Sequence, residues 1–571
     1  MKHLVFACLL GLTFTSNAQW GGNTSPTYPE LIEIYKALDA EHPEIELYQM
    51  GPSDYGLPIY VVLINAAQDS TDSFMKARNE TTILINNAIH PGEPDGINAC
   101  LIWIHDWIEN GKPSEIPIVA IIPAYNVGGM MNRSSTSRAN QVGPEEYGFR
   151  GNAQNLDLNR DFIKMDSKNM WTFAKIYHAL DPDVFIDTHV SNGADYQYTM
   201  TYIASVRERM APSLAHLMHD EMIPRLHELS SEKGFDLTPY VHTRNAVPDN
   251  GIEVFNDLPR YAMGYASLFN AISFTTETHM LKPFPQRVQA THAFLTSTID
   301  WMSENREVIE LNRKEAKEWD MNMSTFHYNY QLQNDSIPLL FKGFEHSYPI
   351  SEVTGDPRLK YHRDKPFEKE VPYFNHYAAQ DSIDIPPYFF IGGQCEEVIE
   401  RLIANNVQMR FADAEERIYA SQFRIASFES GNQPYEGHFL HRNVASELQG
   451  MYVNVKPGDV IIPMNQANRR FIVSVLVPDA PDSYFAWNYF DSYVQQKEYF
   501  SAYVFEDVAA EMLKNDAHLK KEFEVKKQSD PEFAESTWAQ LYFLYQRSPY
   551  YEPTHNLLPV GAINPVERSD K

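Results

Sequence analysis

Between residues 27 and 319, short runs of β-branched and apolar residues alternate with segments whose apolar residues recur at helical spacing. The strand-like runs are 59–66, 81–89, 118–124, 184–188 and 272–276, and the helix-like segments are 30–40, 95–109, 168–180, 206–233 and 287–318. Strands separated by helices cannot close as hairpins and must cross over, so the pattern predicts a three-layer α/β/α domain around a mixed, largely parallel sheet. In such folds, side chains that do chemistry converge outside the C-terminal ends of the strands.

The residues at those ends are therefore the ones to read. The run TTILINNAIH ends in His90, and Glu93 follows three residues later. An imidazole and a carboxylate are both ordinary zinc ligands, and one further His would complete the His₂Glu set of an open catalytic site. Pro91 and Gly92 turn the chain toward a helix whose stripe is Ile97, Leu101, Ile104 and Ile108, ended by Asn110 and Gly111. The third ligand is expected at the end of another core strand, where PDVFIDTH finishes in His189. Asp187, two residues earlier, shares a strand face with it and is placed to orient an imidazole. By itself each motif is weak, since His-x-x-Glu arises often by chance in a chain of 571 residues.

Two more elements follow the same order. NLDLNRDF supplies adjacent Asn159 and Arg160, and AISFTTETHM is a late strand ending in Glu277. With HPGE, DLNRDF, DTHVS and SFTTET in sequence, the chain resembles the zinc metallocarboxypeptidases of the carboxypeptidase A type. The resemblance spans residues 90–277 for the motifs and about half the chain for the domain.

That resemblance implies one Zn²⁺ per chain held by His90, Glu93 and His189. It also implies that Glu277 serves as general base and that Asn159 and Arg160 grip the C-terminal carboxylate of a peptide or protein substrate. An upstream Arg would stabilise the oxyanion. Arg138 is favoured on spacing, with Arg133 and Arg150 as alternatives in the same loop. A mobile Tyr closes the site in this family, and Tyr261 is the first candidate, with Tyr265 and Tyr240 behind it. Arg160 has a physical reason to be there, because a planar fork binds a carboxylate in two places.

Other chemistries lack their motifs. There is no G-x-S-x-G elbow and no phosphate-binding loop, and His227-Glu228 is followed by Ser231 where a zincin helix needs His. His216 and His219 sit at helical spacing and read as a surface or half-buried face. Two alternatives to peptide hydrolysis stay open at this level: a zinc-dependent deacylase of N-acyl amino acids, and a non-catalytic module that binds C-termini. Glu277 speaks against the second, which needs no base.

Residues 1–18 have a basic start, an apolar stretch and small residues at Ser16 and Ala18, the pattern of a signal peptide cleaved after Ala18. A secreted or periplasmic location follows as an expectation, and Cys8 fits a lipoprotein anchor poorly. The net charge is −29, and removing Lys2 makes it more negative. Such a chain repels nucleic acid and anionic membrane, so neither is an expected partner. No segment is apolar and long enough to span a bilayer. Cys100 and Cys395, the two cysteines left after cleavage, are too few for a disulfide framework and are expected to be free.

After about residue 321 the pattern changes to frequent Pro, Tyr and Phe with short extended runs such as FRIASF, MYVNV, DVIIPM and FIVSVLV. Helical patterning is confined to places such as 396–404 and 507–514. The reading is a catalytic domain over 19–320 followed by a mainly β domain over 321–571 of unassigned role. The sequence leaves the oligomeric state open.

Overall fold

A computed structural model describes residues 20–66 and 72–564. The segment read as a signal peptide, with Cys8, lies outside the described residues. The central sheet has eight strands in the spatial order Ile45–Pro52, Pro58–Ile64, Ile118–Ile122, Thr82–Asn86, Val184–Ser191, Ile272–His279, Met200–Ala204, Leu237–Pro239. Its middle four strands run parallel, and antiparallel partners flank them on both sides.

Every residue of Thr82–Asn86, Ile118–Ile122 and Val184–Ser191 is buried. Strands buried on both faces need a helical layer on each side, which is why the interiors of these strands are largely apolar, with polar residues gathered toward the ends. Helix Asp95–Glu109 packs on helix Phe284–Glu304, while Lys168–Leu180 packs on Ser73–Asn79 and strand Ile45–Pro52. The three-layer α/β reading holds, and helices Asp95–Glu109 and Lys168–Leu180 have the expected limits.

Three differences in this half have local causes. The strand read as 81–89 stops at Asn86, and the chain then turns through Ala88 at φ 56°, so His90 stands on a loop beyond the strand. The segment 206–233 is not one helix. A 3₁₀ turn at Arg207–Arg209 precedes a helix from Pro212, whose turn Leu217–Met222 is π-helical just before Pro224. Proline has no N–H to donate, so the ladder loosens there. The segment 287–318 is two helices, Phe284–Glu304 and Arg306–Asn322, broken at Asn305.

Glycine matters at one point that places the site. A Cβ on Gly96 would lie 2.2 Å from Asn87 Oδ1 and Thr188 Oγ1. Only a glycine lets helix Asp95–Glu109 start that close to the strand ends. Glu93 is thereby brought beside the end of strand Val184–Ser191.

The rest of the chain carries mainly β structure. Strand Ile337–Ser347 pairs with Lys360–Phe374, which also pairs with Ile252–Glu253 from the first half. A six-stranded sheet follows, in the order Arg410–Phe411, Val460–Pro463, Tyr388–Ile391, Leu557–Ile563, Glu416–Ser430, His441–Val455. The run FIVSVLV, read as extended, is instead inside helix Arg469–Leu476. All eight residues of that helix are buried, and a short run that is apolar but for Ser474 does not by itself distinguish a buried helix from a strand. Residues 502–545 form a cluster of helices with its own core, including Phe505, Leu519, Phe523 and Phe533. Of that cluster only 507–514 had been read as helical. Among the described residues no helix is long and apolar enough to cross a membrane, and Cys100 and Cys395 are free.

Candidate metal and substrate site

Strand Val184–Ser191 delivers Asp187 and His189 to one side, as a period of two requires. Its parallel neighbour Ile272–His279 places Glu277 directly opposite His189 in register. The loop after Thr82–Asn86 brings His90 and Glu93 against the same point. Asn126, whose side chain donates to the carbonyls of Ile89 (3.0 Å) and Arg150 (2.9 Å), ties that loop to the next.

The two imidazoles face each other through Nδ1, 3.1 Å apart. Glu93 completes the triangle, with Oε2 3.1 Å from His189 Nδ1 and Oε1 3.3 Å from His90 Nδ1. Zinc bonds of 2.0–2.1 Å at tetrahedral angles need ligand atoms about 3.3 Å apart. The spacing therefore fits a zinc ion, as does the donor set of two imidazoles and a carboxylate. All three residues are buried. The remaining ring nitrogens are also held: His189 Nε2 lies 2.6 Å from Asp187 Oδ2, and His90 Nε2 lies 2.9 Å from Asp157 Oδ1. A carboxylate on Nε2 fixes each tautomer so that Nδ1 presents its lone pair to a metal. A second group with three potential ligand atoms, His105, Asp106 and Glu109, lies on a partly exposed helix face.

Asp187 was legible from its spacing to His189. Asp157 was not, although it stands two residues before Asn159 in the same motif. A strand's period of two signals a shared face, whereas a loop offers no such rule. Burial opposes ionisation of Asp157, but His90, Arg150 and Arg160 outweigh it and hold the carboxyl far below the usual range.

A cavity of about 920 Å³ opens over the triad. His90, Glu93, His189, Glu277, Arg138, Asn159, Arg160 and Tyr261 all line it, as do Arg150 and Tyr240. Burial above all, together with the Glu93 carboxylate, pushes Glu277 up to about 8, against the pull of His189, Arg138 and Arg150. A bound dication would draw that value down again.

The three arginines separate clearly. Arg133 is turned away and donates to the backbone carbonyls of Ser25, Pro26 and Glu146. Arg150 is committed to Asp157, with Nε and Nη2 at 3.0 and 2.8 Å from Oδ2, while its Nη1 comes within 3.3 Å of His90 Nδ1. Arg138 pairs with Glu93 and donates to the Val190 carbonyl at 2.9 Å.

The tyrosines separate as well. Tyr265 is buried in an aromatic cluster and donates to Asn405 Oδ1 at 2.6 Å, away from the cavity. Tyr261 lies under the Arg160 guanidinium, 4.6 Å from ring centre to Cζ. Asn159 Oδ1 accepts the Ala262 amide at 3.1 Å, which joins the loop bearing Asn159 and Arg160 to the segment bearing Tyr261. His216 is exposed, and His219 is bonded to the Ser205 carbonyl, so neither contributes.

A family model described as zinc carboxypeptidase matches residues 31–338. No curated protein matches the chain. Among solved structures it is similar to a metallo-carboxypeptidase from Burkholderia cenocepacia, at 17% identity and a TM-score of 0.35, over 48% of this chain and 68% of that one. Carboxypeptidase A from Helicoverpa armigera gives 17% identity and a TM-score of 0.36, over 52% and 75% of the two chains. Bovine thrombin-activatable fibrinolysis inhibitor gives 13% and 0.36, over 50% and 99%.

Proposed function

Since this chain belongs to the zinc carboxypeptidase family, a class of peptide-bond hydrolases, we propose that it removes the C-terminal residue of peptides or proteins. In this reading His90, Glu93 and His189 hold one zinc ion, Glu277 is the general base, and Asn159 and Arg160 bind the terminal carboxylate. The observation that carries it is one cavity in which Glu277 stands in register beside His189 while Arg160 lines the same space. An endopeptidase has no need of an arginine fork there.

Zinc, when bound, lowers the pKa of water toward about 7 and polarises a carbonyl. The chain's own groups do the rest. Arg160 and Asn159 fix the carboxylate and so set which peptide bond is cut. Tyr261, stacked on Arg160, is placed to close over the substrate. Arg138, which lines the cavity beside Glu93 and His189, is the proposed donor to the developing oxyanion. Glu277 takes the proton of the attacking water and returns it to the leaving amine. Burial raises its pKa and a bound dication would lower it, so its protonation in the loaded site is set by both.

The cavity also supports a preference. Thr275 shares its strand face with Glu277, Ile203 lies opposite Thr275 in register, and Met263 Sδ lies 3.9 Å from Thr275 Oγ1. Ile203 and Met263 make this wall apolar, and the Thr275 hydroxyl is taken up by Met263 Sδ. The acidic residues lining the cavity are Glu93 and Glu277, both already given roles. No acid is left to receive a basic side chain, so apolar C-terminal residues are the proposed substrates. Secretion is part of the proposal and rests on the pattern of residues 1–18 alone.

The test is zinc content and release of C-terminal amino acids from a mixed peptide library, for the wild type and Glu277→Gln. One zinc per chain and release of apolar residues are expected, with zinc retained and the rate reduced about 10²–10⁴-fold in the variant. A zinc-free protein, or undiminished hydrolysis in Glu277→Gln, defeats the reading. Cleavage of N-acyl amino acids alone would favour the deacylase.

A further inference from the structure

Beyond the family-matched residues 31–338 in the chain, residues 435–438 close a tight hairpin. Tyr435 and His438 exchange backbone hydrogen bonds in both directions, at 2.7 and 3.1 Å. Glu436 and Gly437 are left as the two turn residues, with φ of 48° and 85°. A two-residue turn with both φ positive follows the natural twist of a hairpin and calls for Asn, Asp or Gly at its first position. Gly437 suits its place; Glu436 does not, because a left-handed backbone is disfavoured for its side chain. Among the described residues, Asn holds most of the positive-φ positions not filled by glycine. A long acidic side chain where the backbone favours Asn directs attention to what its carboxylate does.

That carboxylate reaches the other half of the molecule. Glu436 Oε2 accepts the backbone N–H of Asp157 at 2.7 Å. Asp157 in turn accepts the Asn159 amide at 2.9 Å, meets His90 Nε2 at 2.9 Å, and heads the short turn Leu158–Arg160. The hairpin is anchored at two further places. Tyr435 stacks on Trp487 at 6.0 Å and lies beneath Arg260, the residue before Tyr261. His438 Nε2 is 2.8 Å from Asp166 Oδ2. Residues 435–438 therefore press on both segments that build the carboxylate grip, the one bearing Asn159 and Arg160 and the one bearing Tyr261.

We propose that this hairpin, supplied by the C-terminal half, is a positioning element for substrate binding and that Glu436 is its positioning residue. It touches no substrate. By holding the Asp157 peptide plane, it fixes the direction in which Asn159 and Arg160 face the cavity. The inference rests on the binding role given to Arg160 above.

Two variants test it. Glu436→Asn puts the favoured residue into the turn but is one methylene too short to reach the Asp157 amide. Glu436→Gln keeps the reach and an acceptor oxygen. Steady-state kinetics on a peptide with an apolar C-terminus are measured beside thermal unfolding and hydrogen exchange of residues 155–160. For Glu436→Asn the expected result is KM raised about tenfold, the scale of one lost hydrogen bond to a charged group. The same variant should show little change in kcat, an unfolding temperature no lower than wild type, and faster exchange at 155–160. Glu436→Gln, whose acceptor is neutral, should recover most of both KM and exchange. The proposal is overturned if Glu436→Asn leaves KM and exchange unchanged, or if activity falls only in step with thermal stability. Should the wild type cleave no peptide, the functional reading fails, and the exchange measurement still decides whether Glu436 positions this turn.

Discussion

Asp157 joins the proposed metal triad to the proposed carboxylate grip, and Asp157→Asn weakens that joint without changing its shape. In the wild type Oδ1 accepts from His90 Nε2 and from the Asn159 amide, both at 2.9 Å, while Oδ2 takes Arg150 Nε and Nη2. An Asn oxygen can keep the first two contacts, but as a neutral acceptor. Charge-assisted hydrogen bonds are about twice as strong as neutral ones, so the bond to His90 loses about 1 kcal/mol. The new NH₂ would face Arg150, itself a donor, but the Arg150 side chain is 45% exposed and water relieves most of that conflict. Partners of metal-bound histidines typically contribute 10–100-fold to affinity. The expected result is zinc bound about tenfold more weakly, roughly 1.4 kcal/mol. Competition with a chromogenic chelator reads the affinity, and kcat/KM at saturating zinc should recover most of its wild-type value. If zinc affinity stays within about twofold of wild type in a folded variant, Asp157 does not prepare His90 for a metal and the argument from Nε2 fails.

Two further expectations follow from the same structure. Arg160→Lys keeps the charge and loses the planar fork, so KM for peptides should rise about tenfold or more while kcat changes little; unchanged KM would remove Arg160 from substrate binding. His279 is 0% exposed, with Nε2 donating to the Ala194 carbonyl at 2.7 Å and Nδ1 accepting the Leu281 amide at 3.1 Å. The Nδ1 contact requires the neutral ring, and burial, outweighing the Ala194 contact that favours the charged form, pushes its pKa down to about 4. The unfolded chain, with an ordinary histidine near 6.5, takes up the proton first. The stabilisation is therefore fully present above about pH 6.5 and is lost as pH falls toward 4, about 3 kcal/mol in all. Unfolding midpoints measured across that window should fall less steeply in His279→Asn, and an identical slope would contradict the assignment.

The strand ends were readable because the information is local. Buried β-branched runs in a parallel sheet are largely apolar in their interiors, so a His or Glu closing one stands out, and His90, His189 and Glu277 were found that way. Asp187 was found from the period of two. Choosing among Arg133, Arg138 and Arg150 was beyond the sequence, because all three sit on a loop of 20 or so residues with no periodicity to orient them. Tyr261, Tyr240 and Tyr265 posed the same difficulty: an aromatic residue that lines a cavity and one that fills a core have the same local surroundings in sequence.

The C-terminal half was harder for a reason that also explains its role. The run FIVSVLV is rich in β-branched residues and reads as a strand, yet it is helical. The helix starts with Arg469 and Arg470, whose guanidinium groups donate to carbonyls of the first half, including those of Asp320 and Ser267. Those carbonyls are partners that only the folded chain brings near. Strand propensity differs by about 1 kcal/mol or less per residue and is readily overridden by context, whereas losing one partner of a buried charged hydrogen bond costs about 1–3 kcal/mol. These anchors, together with the burial of all eight helix residues, act against the local preference. Glu436 follows the same rule at the level of a single residue. Its turn favours Asn, and what sets its carboxylate to use is an amide 279 residues away in the chain. At helix Arg469–Leu476 and at Glu436, where local preference and observed structure disagree, the residues involved grip the first half of the chain. Such disagreements are thus a guide to which C-terminal residues shape the cavity.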